Sequence, residues 1–323
     1  MKIQLSNQQI RELYFAINKV KEVPGRKFVF CIVKNQDRLL KHVLSIQDDT
    51  AAPKDFEKYT DEVKLLHTSH VLKDEDGREK ETQDEYGNRV FDYDPTMAPA
   101  MKVLNKKYKD EIANQFDNEI MNTKYLMENR EIDIYEYIGE MPDITLFQLD
   151  SIIWLMETSE AIGKSVLSTI PVRFSRQAVL DYRKVFQCLS QVTHKPFLEI
   201  FKANLFLLRS MALEFVTNKS YQDFYDIHEV QRNALIRKHA IIDMWGEPIT
   251  RNIGNNSLEV VMKNQEAFDA AYEKLAEKNK DIIKAKNDFL NEVISLDLVS
   301  LTEELLWEDI NAKQMKALLE FIA

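Results

Sequence analysis

The sequence contains few cysteines, which argues against a small fold held together by disulfide bonds. Only two are present in 323 residues, Cys31 and Cys188, and both lie in apolar stretches. Neither has neighbouring residues of the kind that activate a thiolate. A disulfide framework is therefore not expected, and a reducing compartment fits, with both cysteines as small core residues.

Glycine is also scarce, with seven residues in the chain. The glycine-rich loops that cradle phosphates and the strained turn that presents a nucleophilic serine are absent as motifs. The acidic run Asp74–Asp76 lacks the spacing of a calcium-binding loop. His67 and His70 are close enough to share a metal ion, but no further ligands stand at a recognisable spacing. We therefore expect no cofactor and no metal site.

Positive charge and long apolar runs are lacking as well. The net charge of −10 argues against broad binding to a nucleic-acid backbone, although a local basic patch remains compatible with it. Apolar stretches such as Phe197–Phe201 are interrupted by charge well before the length of a membrane span. The first residues, Met1–Ser6, show no signal-peptide core. We expect a soluble intracellular protein without membrane contact.

The first half of the chain shows helical patterns broken by turn residues. Ser6 is a plausible N-cap for a helix whose apolar residues recur at helical spacing until Pro24. Further amphipathic helices are predicted over residues 27–46 and after Pro53. Two turn signals then predict a small β-hairpin or extended arm over residues 74–92, with an acidic loop as the alternative.

The pattern then returns to helix and ends with a short strand and a capped helix. A long charged helix is predicted from about Thr96 to Asn129, and an alternating strand over residues 131–138. Thr145 is the predicted cap of the closing helix. These elements together indicate a mainly helical α+β fold.

One stretch of this half occurs a second time. Residues Asp143–Ile153 and Asp309–Leu319 both begin Asp-Ile and continue with a capping residue, a glutamine and apolar residues at helical spacing. Other matches follow in the same order and at nearly constant spacing: Ser6 with Ser175, residues 28–34 with 196–202, Leu39-Leu40 with Leu207-Leu208, His70 to Gly77 with His239 to Gly246, and a second charged helix at 264–289 before an apolar strand at 292–299.

The order of these matches predicts an internal duplication. The first copy spans residues 1–157, the junction 158–171 and the second copy 172–323, and each copy is a helical domain with a small β-hairpin or strand element. A repeat of this length is too long for a solenoid unit. Because copies of one domain can inherit a two-fold contact, the two copies are expected to pack as a pseudo-dimer.

The recurring histidines allow a catalytic hypothesis, but a structural one is favoured. His70 and His239 recur with Asp74 and Asp243, and such a pair could serve as a base and its orienting group. A histidine near a helix C-terminus also interacts favourably with the helix dipole, and Asp and Gly set the following turn. We predict no catalytic residue and no enzymatic activity.

A surface for binding another protein is expected where the copies differ, namely in the turn regions and the long charged helices. In the turns, Asp74, Asp76 and Tyr86 are candidates, and Trp245 lies near the corresponding turn of the second half. Trp307 precedes the closing helix and is a further candidate, because a partly exposed tryptophan often marks an interface. Core packing is the alternative for both tryptophans. The long charged helices could pair as an antiparallel coiled coil or present a charged face.

Several of these features together resemble a known group of proteins. They are the opening Met1–Asn7, the turn at Lys73–Gly77, a Gly-Asn turn, a long charged helix, and the Asp-Ile-Thr-x-x-Gln-Leu helix at residues 143–149. This combination resembles small proteins of unknown function encoded by many tailed phages, which usually contain a single copy. The resemblance covers the first half well. It extends to the second half only through the repeat, where Ser-Asn becomes Ser175-Arg176 and the turn is shorter.

The resemblance implies a phage protein that acts by binding and brings no catalytic residues with it. A virion or particle-assembly component is the first expectation, and an inhibitor of a host factor or defence system is the alternative. The expected partners are phage or host proteins, without direct nucleic-acid binding. The expected location is the host cytoplasm during infection, or the virion.

Overall fold

Helices form most of the chain. The computed structural model describes residues 1–86, 88–156, 168–243, 247–253 and 257–322. It is 62% helical, with small antiparallel strand pairs. The predicted mainly helical α+β class is therefore confirmed, while the duplication stays a prediction.

In the described residues of the first half, the elements are four short strands and six α-helices. In chain order they are β1 (Lys2–Ser6), α1 (Asn7–Val20), α2 (Arg26–Asp49), α3 (Lys54–His70), β2 (Glu81–Gln83), β3 (Arg89–Phe91), α4 (Met97–Lys107), α5 (Lys109–Met127), β4 (Asn129–Asp133) and α6 (Leu146–Ser151), followed by a 3-10 turn at Ile153–Leu155.

The described part of the second half continues the numbering. Its elements are β5 (Thr169–Ser175), α7 (Arg176–Leu180), α8 (Tyr182–Val185), a 3-10 turn (Phe186–Leu189), α9 (Lys195–Val216), α10 (Lys219–Asp223), a π-helical turn (Phe224–Glu229), α11 (Val230–His239), β6 (Thr250–Asn252), β7 (Leu258–Val260), α12 (Gln265–Lys278), α13 (Lys280–Asn291), β8 (Val293–Val299), a 3-10 turn (Glu303–Leu305), α14 (Ala312–Leu318) and a last 3-10 turn (Leu319–Phe321).

The strands of the described ranges form four antiparallel pairs. β1 pairs with β4, with Ser6 opposite Asn129, and β5 pairs with β8, with Ser175 opposite Val293. Two hairpins, β2 with β3 and β6 with β7, complete the set. In the first two pairs the strands are far apart in sequence, so their pairing depends on the helices between them.

The chain divides into two compact units. The first contains residues 1–49, 125–222 and 284–323, and the second contains residues 50–124 and 223–283. Each unit takes segments from both predicted copies. The compact units and the copies therefore divide the chain in different ways, and the copy boundaries stay a prediction.

One hydrophobic core fills the first unit. α1 packs on α2 and α6, and α6 packs on α9. Fully buried residues from both halves belong to the same cluster, including Leu5, Ile17, Leu149, Phe197 and Leu298. Because burial of a large apolar side chain contributes about 1.5–3 kcal/mol, this shared core stabilises both halves together.

In the second unit, α4 packs on α3 and α12 packs on α11. Tyr59 of α3 lies among Met97, Met101, Leu104 and Tyr108 of α4 and its end, and these five residues form a second buried cluster. The charged helices thus bury their apolar sides against the preceding helix of the same half.

Each predicted long charged helix is divided in two, so the prediction of single helices was wrong. The breaks fall at Tyr108, between α4 and α5, and at Asn279, between α12 and α13. Both break residues make tertiary hydrogen bonds. The Tyr108 hydroxyl donates to Glu62, and the buried Asn279 amide donates to Gln231 and to the His228 ring. Each break residue is therefore held by a partner outside its helix.

The predicted helix caps are confirmed. The Ser6 hydroxyl accepts from the Gln9 backbone N–H at 3.2 Å, and the Gln9 side chain accepts from the Ser6 N–H at 2.9 Å. Thr145 and Asn311 form the same reciprocal capping box, with Gln148 and Gln314. Ser175 accepts from Ala178. Such caps satisfy backbone donors that the helix leaves unpaired.

None of the helices in the described part of the chain has both the length and the apolarity needed to cross a membrane.

The two cysteines are free and differ in environment. Cys31 is 1% exposed, and its thiol donates to the Tyr135 carbonyl at 3.2 Å. Burial raises the pKa of the Cys31 thiol to about 12, against the opposing effect of a hydrogen bond from Asn35. Cys188 is only half-buried.

We expect iodoacetamide to modify Cys188 at least about tenfold faster than Cys31 in the native protein, because only an accessible thiolate reacts. Mass spectrometry of the labelled peptides over time gives both rates. Labelling in denaturing urea is the control and should bring the two rates together. Equal rates in the native protein would contradict the burial of Cys31.

Candidate functional site

A cavity of about 590 Å³ in the first unit brings charged side chains together. Its walls come from α1, α6, α8 and α9. We call it the Asp150 cavity, after the carboxylate at its base. The helix caps position this carboxylate, because the capping box at Thr145 starts α6 and the buried Leu146 and Leu149 anchor the helix in the core. Asp150 follows in the last turn and is 8% exposed.

Three side chains converge on Asp150. The Tyr182 hydroxyl donates to Asp150 Oδ1 at 2.7 Å, and Arg183 Nε lies 2.9 Å from Oδ2. Arg209 is 6% exposed, donates to the Asp150 backbone carbonyl, and has Nη1 at 3.7 Å from Oδ2. Arg209 also lies over the Trp154 ring, at 5.6 Å from its centroid. The cluster therefore contains two guanidinium groups around one carboxylate.

Burial and the Asp150 charge control the protonation of this cluster. Burial raises the pKa of Tyr182, and the nearby Asp150 carboxylate adds to this effect, so the hydroxyl remains a donor. Burial lowers the pKa of Arg209, and Asp150 opposes this. For Arg183, burial acts against the charged form, but attraction to Asp150 and Tyr182 prevails and the pKa is raised. Both guanidinium groups stay charged at neutral pH.

The rest of the cavity combines apolar surface with further charge. Phe15 and Phe147 line it and are about half exposed. The Lys19 ammonium lies 5.4 Å from the Phe147 ring centroid. Lys184 pairs with Asp181 at 2.7 Å, and Glu12 Oε2 lies 3.9 Å from Arg209 Nη2.

The sequence analysis did not single out this cluster. Asp150 was noted only as part of the repeated stretch, although a carboxylate between Leu149 and Ile152 on a predicted core helix is an unusual feature. Arg209 likewise follows the apolar pair Leu207-Leu208. A charged residue directly beside core positions was the signal that could have identified both.

A second candidate site, also in the first unit, is an exposed apolar surface. It consists of Val29, Phe30 and Val33 of α2 with Tyr135 and Ile138 from the segment after β4, and we call it the Phe30 surface. Phe30 is 50% exposed and Ile138 59%. These residues line an open groove.

Hydrogen bonds hold the Phe30 surface in place. The buried Asn35 side chain donates to the Tyr135 carbonyl and accepts from the Tyr135 N–H, both at 2.7 Å. The Phe30 and Tyr135 rings meet edge to face at 5.4 Å. The extended segment after β4 is therefore fixed along α2.

Basic side chains surround the Phe30 surface. Arg26 and Lys27 line the groove, and the Lys34 ammonium lies 5.5 Å from the Phe30 ring centroid. Arg38 lies over the Tyr135 ring and also pairs with Asp133 at 3.3 Å. Glu136 also lines the groove, but the basic residues outnumber this carboxylate, so the face is locally positive on a protein of net charge −10.

The candidate residues from the sequence are distributed over the two units. Asp74 and Asp76 share one turn of the second unit, where Asp74 Oδ1 accepts from the backbone N–H groups of Asp76 and Arg78 at 2.9 Å. Both aspartates are exposed, and Tyr86 is half-buried. Trp307 belongs to the first unit and packs edge-on against Phe197 at 5.3 Å. Trp245 lies outside the described residues.

The histidine pair of α3 is held by partners that the sequence did not indicate. His67 contacts the Tyr93 hydroxyl through Nδ1 at 2.8 Å and Glu79 through Nε2 at 3.3 Å. Within the described ranges, no group of three His, Cys, Asp or Glu side chains is arranged to hold a metal ion.

His70 pairs with Asp94 and not with Asp74. Its Nδ1 lies 2.9 Å from Asp94 Oδ2 and 3.1 Å from the Thr96 hydroxyl. A catalytic triad needs the nucleophile and the acid on opposite ring nitrogens, whereas both partners here meet the same nitrogen. In the first half, the Asp94 backbone N–H donates to the His70 carbonyl. In the second half, the corresponding bond to the His239 carbonyl comes from the N–H of Lys263, which therefore takes the place of Asp94. The His–Asp pair is therefore not repeated at that position.

The low pKa of Asp94 gives a pH dependence that can be measured. Hydrogen bonds from the Thr96 hydroxyl and the His70 ring lower this pKa to about 2. Because the folded-state pKa is depressed, the stabilisation is present above the unfolded value of about 4 and is lost as pH falls towards about 2. We expect Asp94→Asn to destabilise the second unit at neutral pH. The difference in stability between wild type and the variant should become smaller as pH falls from about 4 to about 2.

Hydrogen exchange of peptides from the second unit, followed by mass spectrometry across that pH range, measures this difference in stability. Asp61→Asn is the control, since Asp61 is an exposed carboxylate of α3 paired with Lys64 at 3.1 Å. A difference for Asp94→Asn that stays constant with pH would show that its charge does not stabilise the fold.

Comparison with known proteins returns no relative. The chain matches no known family, no curated protein and no solved structure. Function is therefore inferred from the chemistry of the Asp150 cavity and the Phe30 surface.

Proposed function

We propose that the protein acts by binding another protein, without catalysis, and that the Phe30 surface makes the contact. The observation that carries this proposal is a contiguous set of half-exposed apolar side chains held rigidly on α2 and the segment after β4. Contiguous apolar patches on soluble proteins often mark interaction sites. Aromatic anchors with few rotatable bonds are also typical of the residues that dominate binding energy.

The charge around this surface indicates the chemistry of the partner. Arg26, Lys27 and Lys34 add positive charge, while Arg38 is balanced by Asp133. A partner segment with apolar side chains flanked by carboxylates complements this pattern. Electrostatic complementarity of this kind orients the encounter and speeds association.

We also propose that the chain is a duplicated phage protein whose copies pack as a pseudo-dimer. The resemblance to small tailed-phage proteins supports the proposal that a phage encodes this chain. Matching contacts support the duplication. Asn35 bonds the Tyr135 backbone as Asn204 bonds the Val299 backbone, and Gln148 donates to the Lys19 carbonyl as Gln314 donates to that of Cys188. The shared core of the first unit supports the pseudo-dimer.

Two roles fit such a binding protein. A virion or particle-assembly component is the first, since a duplicated chain can bridge two equivalent partners with raised effective concentration. An inhibitor of a host factor is the second, and one observation favours it. If the halves are aligned on Asn35 and Asn204, the position of Phe30 is taken by Glu199, which pairs with Lys202. If residues 28–34 are aligned with 196–202, it is taken by the fully buried Leu198. The Phe30 surface is therefore not repeated at the aligned positions of the second half, which suits a one-to-one complex.

Capture of partners from infected cells tests the binding surface. We expect Phe30→Asp to reduce the captured partner by about 30-fold, because a central aromatic anchor contributes about 2 kcal/mol or more. Leu44→Asp is the matched control, since Leu44 lies on the same helix with 49% exposure and is not part of the surface. Equal capture by wild type and a folded Phe30→Asp protein would reject this surface as the contact.

Analysis of purified particles separates the two roles. A virion component is expected at a fixed copy number in particles that have been washed free of soluble protein. Absence from particles, together with capture of a host protein that depends on Phe30, would identify an inhibitor. Absence combined with no captured partner would overturn both.

A further inference from the structure

We propose that the Asp150 cavity is a binding site for a small organic anion, a molecule with a flat apolar body and one carboxylate or phosphate group. This site is distinct from the Phe30 surface and goes beyond the proposed protein-binding function. The inference begins with the charge balance of the cavity. Two guanidinium groups, those of Arg183 and Arg209, surround the single buried carboxylate of Asp150.

The Asp150 carboxylate cannot accept all the hydrogen bonds that the N–H groups of Arg183 and Arg209 can donate. Its Oδ1 accepts from Tyr182, and its Oδ2 forms an ion pair with Arg183. Each guanidinium carries five N–H donors, so the pair offers more donors than Asp150 and Tyr182 can accept. Glu12 lies 3.9 Å from Arg209 and is nearly half exposed, so water screens its charge more than that of Asp150. The base of the cavity therefore favours an additional anion.

Lys19 adds a third positive charge, and the walls supply an apolar contact. The Lys19 ammonium lies over the Phe147 ring, and Phe15 lines the same opening. A cavity of about 590 Å³ falls in the size range typical of small-molecule sites. A few charged groups within mostly apolar walls also match how such sites orient a ligand.

Packing of the fold alone does not account for the cluster. If the halves are aligned on the buried Asn35 and Asn204, Arg209 corresponds to Leu40, and if they are aligned on the leucine pairs it corresponds to Lys41, which is exposed. Alignment on the caps Ser6 and Ser175 places Tyr182 opposite Leu13, which is fully buried. Alignment on the capping glutamines Gln148 and Gln314 places Asp150 opposite Lys316. A buried ion cluster is expensive to desolvate, and apolar residues often replace one without loss of stability. The cluster joins residues of both predicted copies, and the residues aligned with its members form no second cluster of this kind, which points to a ligand.

Isothermal titration calorimetry with phenyl phosphate tests the site. We expect binding by the full chain, with affinity that falls as salt is added. Benzyl alcohol, which lacks the charge, and inorganic phosphate, which lacks the ring, should each bind at least about tenfold more weakly. Benzoate in place of phenyl phosphate shows which anionic group is preferred, and preferred binding of either supports the proposal.

Variants assign the binding to the cavity. Lys19→Gln is expected to weaken phenyl phosphate about fivefold to tenfold, because it removes a charge near the opening. Lys21→Gln is the matched control two positions along the chain, and it should remain within about twofold of wild type. Arg183→Lys keeps the charge but loses the planar fork, so it should also weaken binding while the protein stays folded.

Two results would overturn the proposal. One is the absence of measurable heat or thermal stabilisation with phenyl phosphate at millimolar concentration. The other is binding that is equal in wild type, Lys19→Gln and Arg183→Lys. Binding abolished by Phe30→Asp and unchanged by Lys19→Gln would place the ligand on the Phe30 surface and equally reject the cavity.

Discussion

Replacing Asp150 with alanine is expected to lower the free energy of unfolding of the first unit by about 3–5 kcal/mol. The substitution removes the hydrogen-bond acceptor of Tyr182 and the ion-pair partner of Arg183, and it leaves the Arg209 guanidinium buried without its carboxylate. Breaking a buried pair from one side is strongly destabilising because the remaining charge stays out of water. The measurement is urea unfolding followed by tryptophan fluorescence in a Trp245→Phe background, which leaves Trp154 and Trp307 of the first unit as reporters.

Two further variants separate the buried charge from the loss of a side chain. Asp181→Ala removes a half-buried carboxylate that pairs with the exposed Lys184, and we expect it to cost about 1 kcal/mol or less. Asp150→Leu combined with Arg209→Met replaces the pair with apolar groups and should recover much of the stability lost in Asp150→Ala. If Asp150→Ala costs no more than Asp181→Ala, the cluster does not stabilise the unit.

The second large effect is expected at Asn204. Its side chain donates to the Val299 carbonyl at 2.9 Å and accepts from the Val299 N–H at 2.7 Å, and all these groups are buried. Asn204→Ala leaves one buried donor and one buried acceptor without partners. Since each unsatisfied group costs about 1–3 kcal/mol, we expect a loss of about 2–4 kcal/mol in the same unfolding experiment.

Asn35 provides the comparison, because it makes the same pair of bonds at a more accessible place. Its partner Tyr135 is 40% exposed, so water can reach part of the backbone that Asn35→Ala would free. We expect a loss of about 1–2 kcal/mol for Asn35→Ala and about 0.5 kcal/mol or less for the exposed Asn18→Ala. Equal losses for Asn35→Ala and Asn204→Ala would show that burial of the partner does not set the cost.

Asp150 and Asn204 have a common position in the fold, since each joins segments that lie far apart in the chain. Asp150 and Arg209 are 59 residues apart, and Asn204 and Val299 are 95 apart. The first pair also joins residues of the two predicted copies. Stability of the first unit is therefore expected to depend on contacts that a single copy would not contain.

Local features of this protein could be predicted well. The caps at Ser6, Thr145 and Asn311, the mainly helical class and the hairpin after α3 all follow from residues within about four positions of one another. Hydrogen bonds at the start of a helix join the cap residue to a residue three positions further along the chain. Both partners therefore lie within one short stretch of sequence, where they can be recognised together.

Predictions that depend on distant partners were less successful. The single helix predicted over residues 96–129 is broken at Tyr108, whose hydroxyl bonds Glu62 of α3. Among the proposed interaction residues, Asp74 bonds the backbone of its own turn and Trp307 packs on the core, and their role in binding stays a prediction. Periodicity shows which face of a helix is apolar, but not which element will cover that face.

Most of the helices, their caps and the repeated order of signals could be predicted from the residue order, as could the expectation that no familiar cofactor motif is present. Tertiary packing was needed to show which charges meet at Asp150, which apolar side chains stay uncovered around Phe30, and which carboxylate pairs with His70. The physical reason is range. Helix signals act through bonds between near neighbours, whereas a buried ion cluster or an uncovered surface depends on how remote segments pack together.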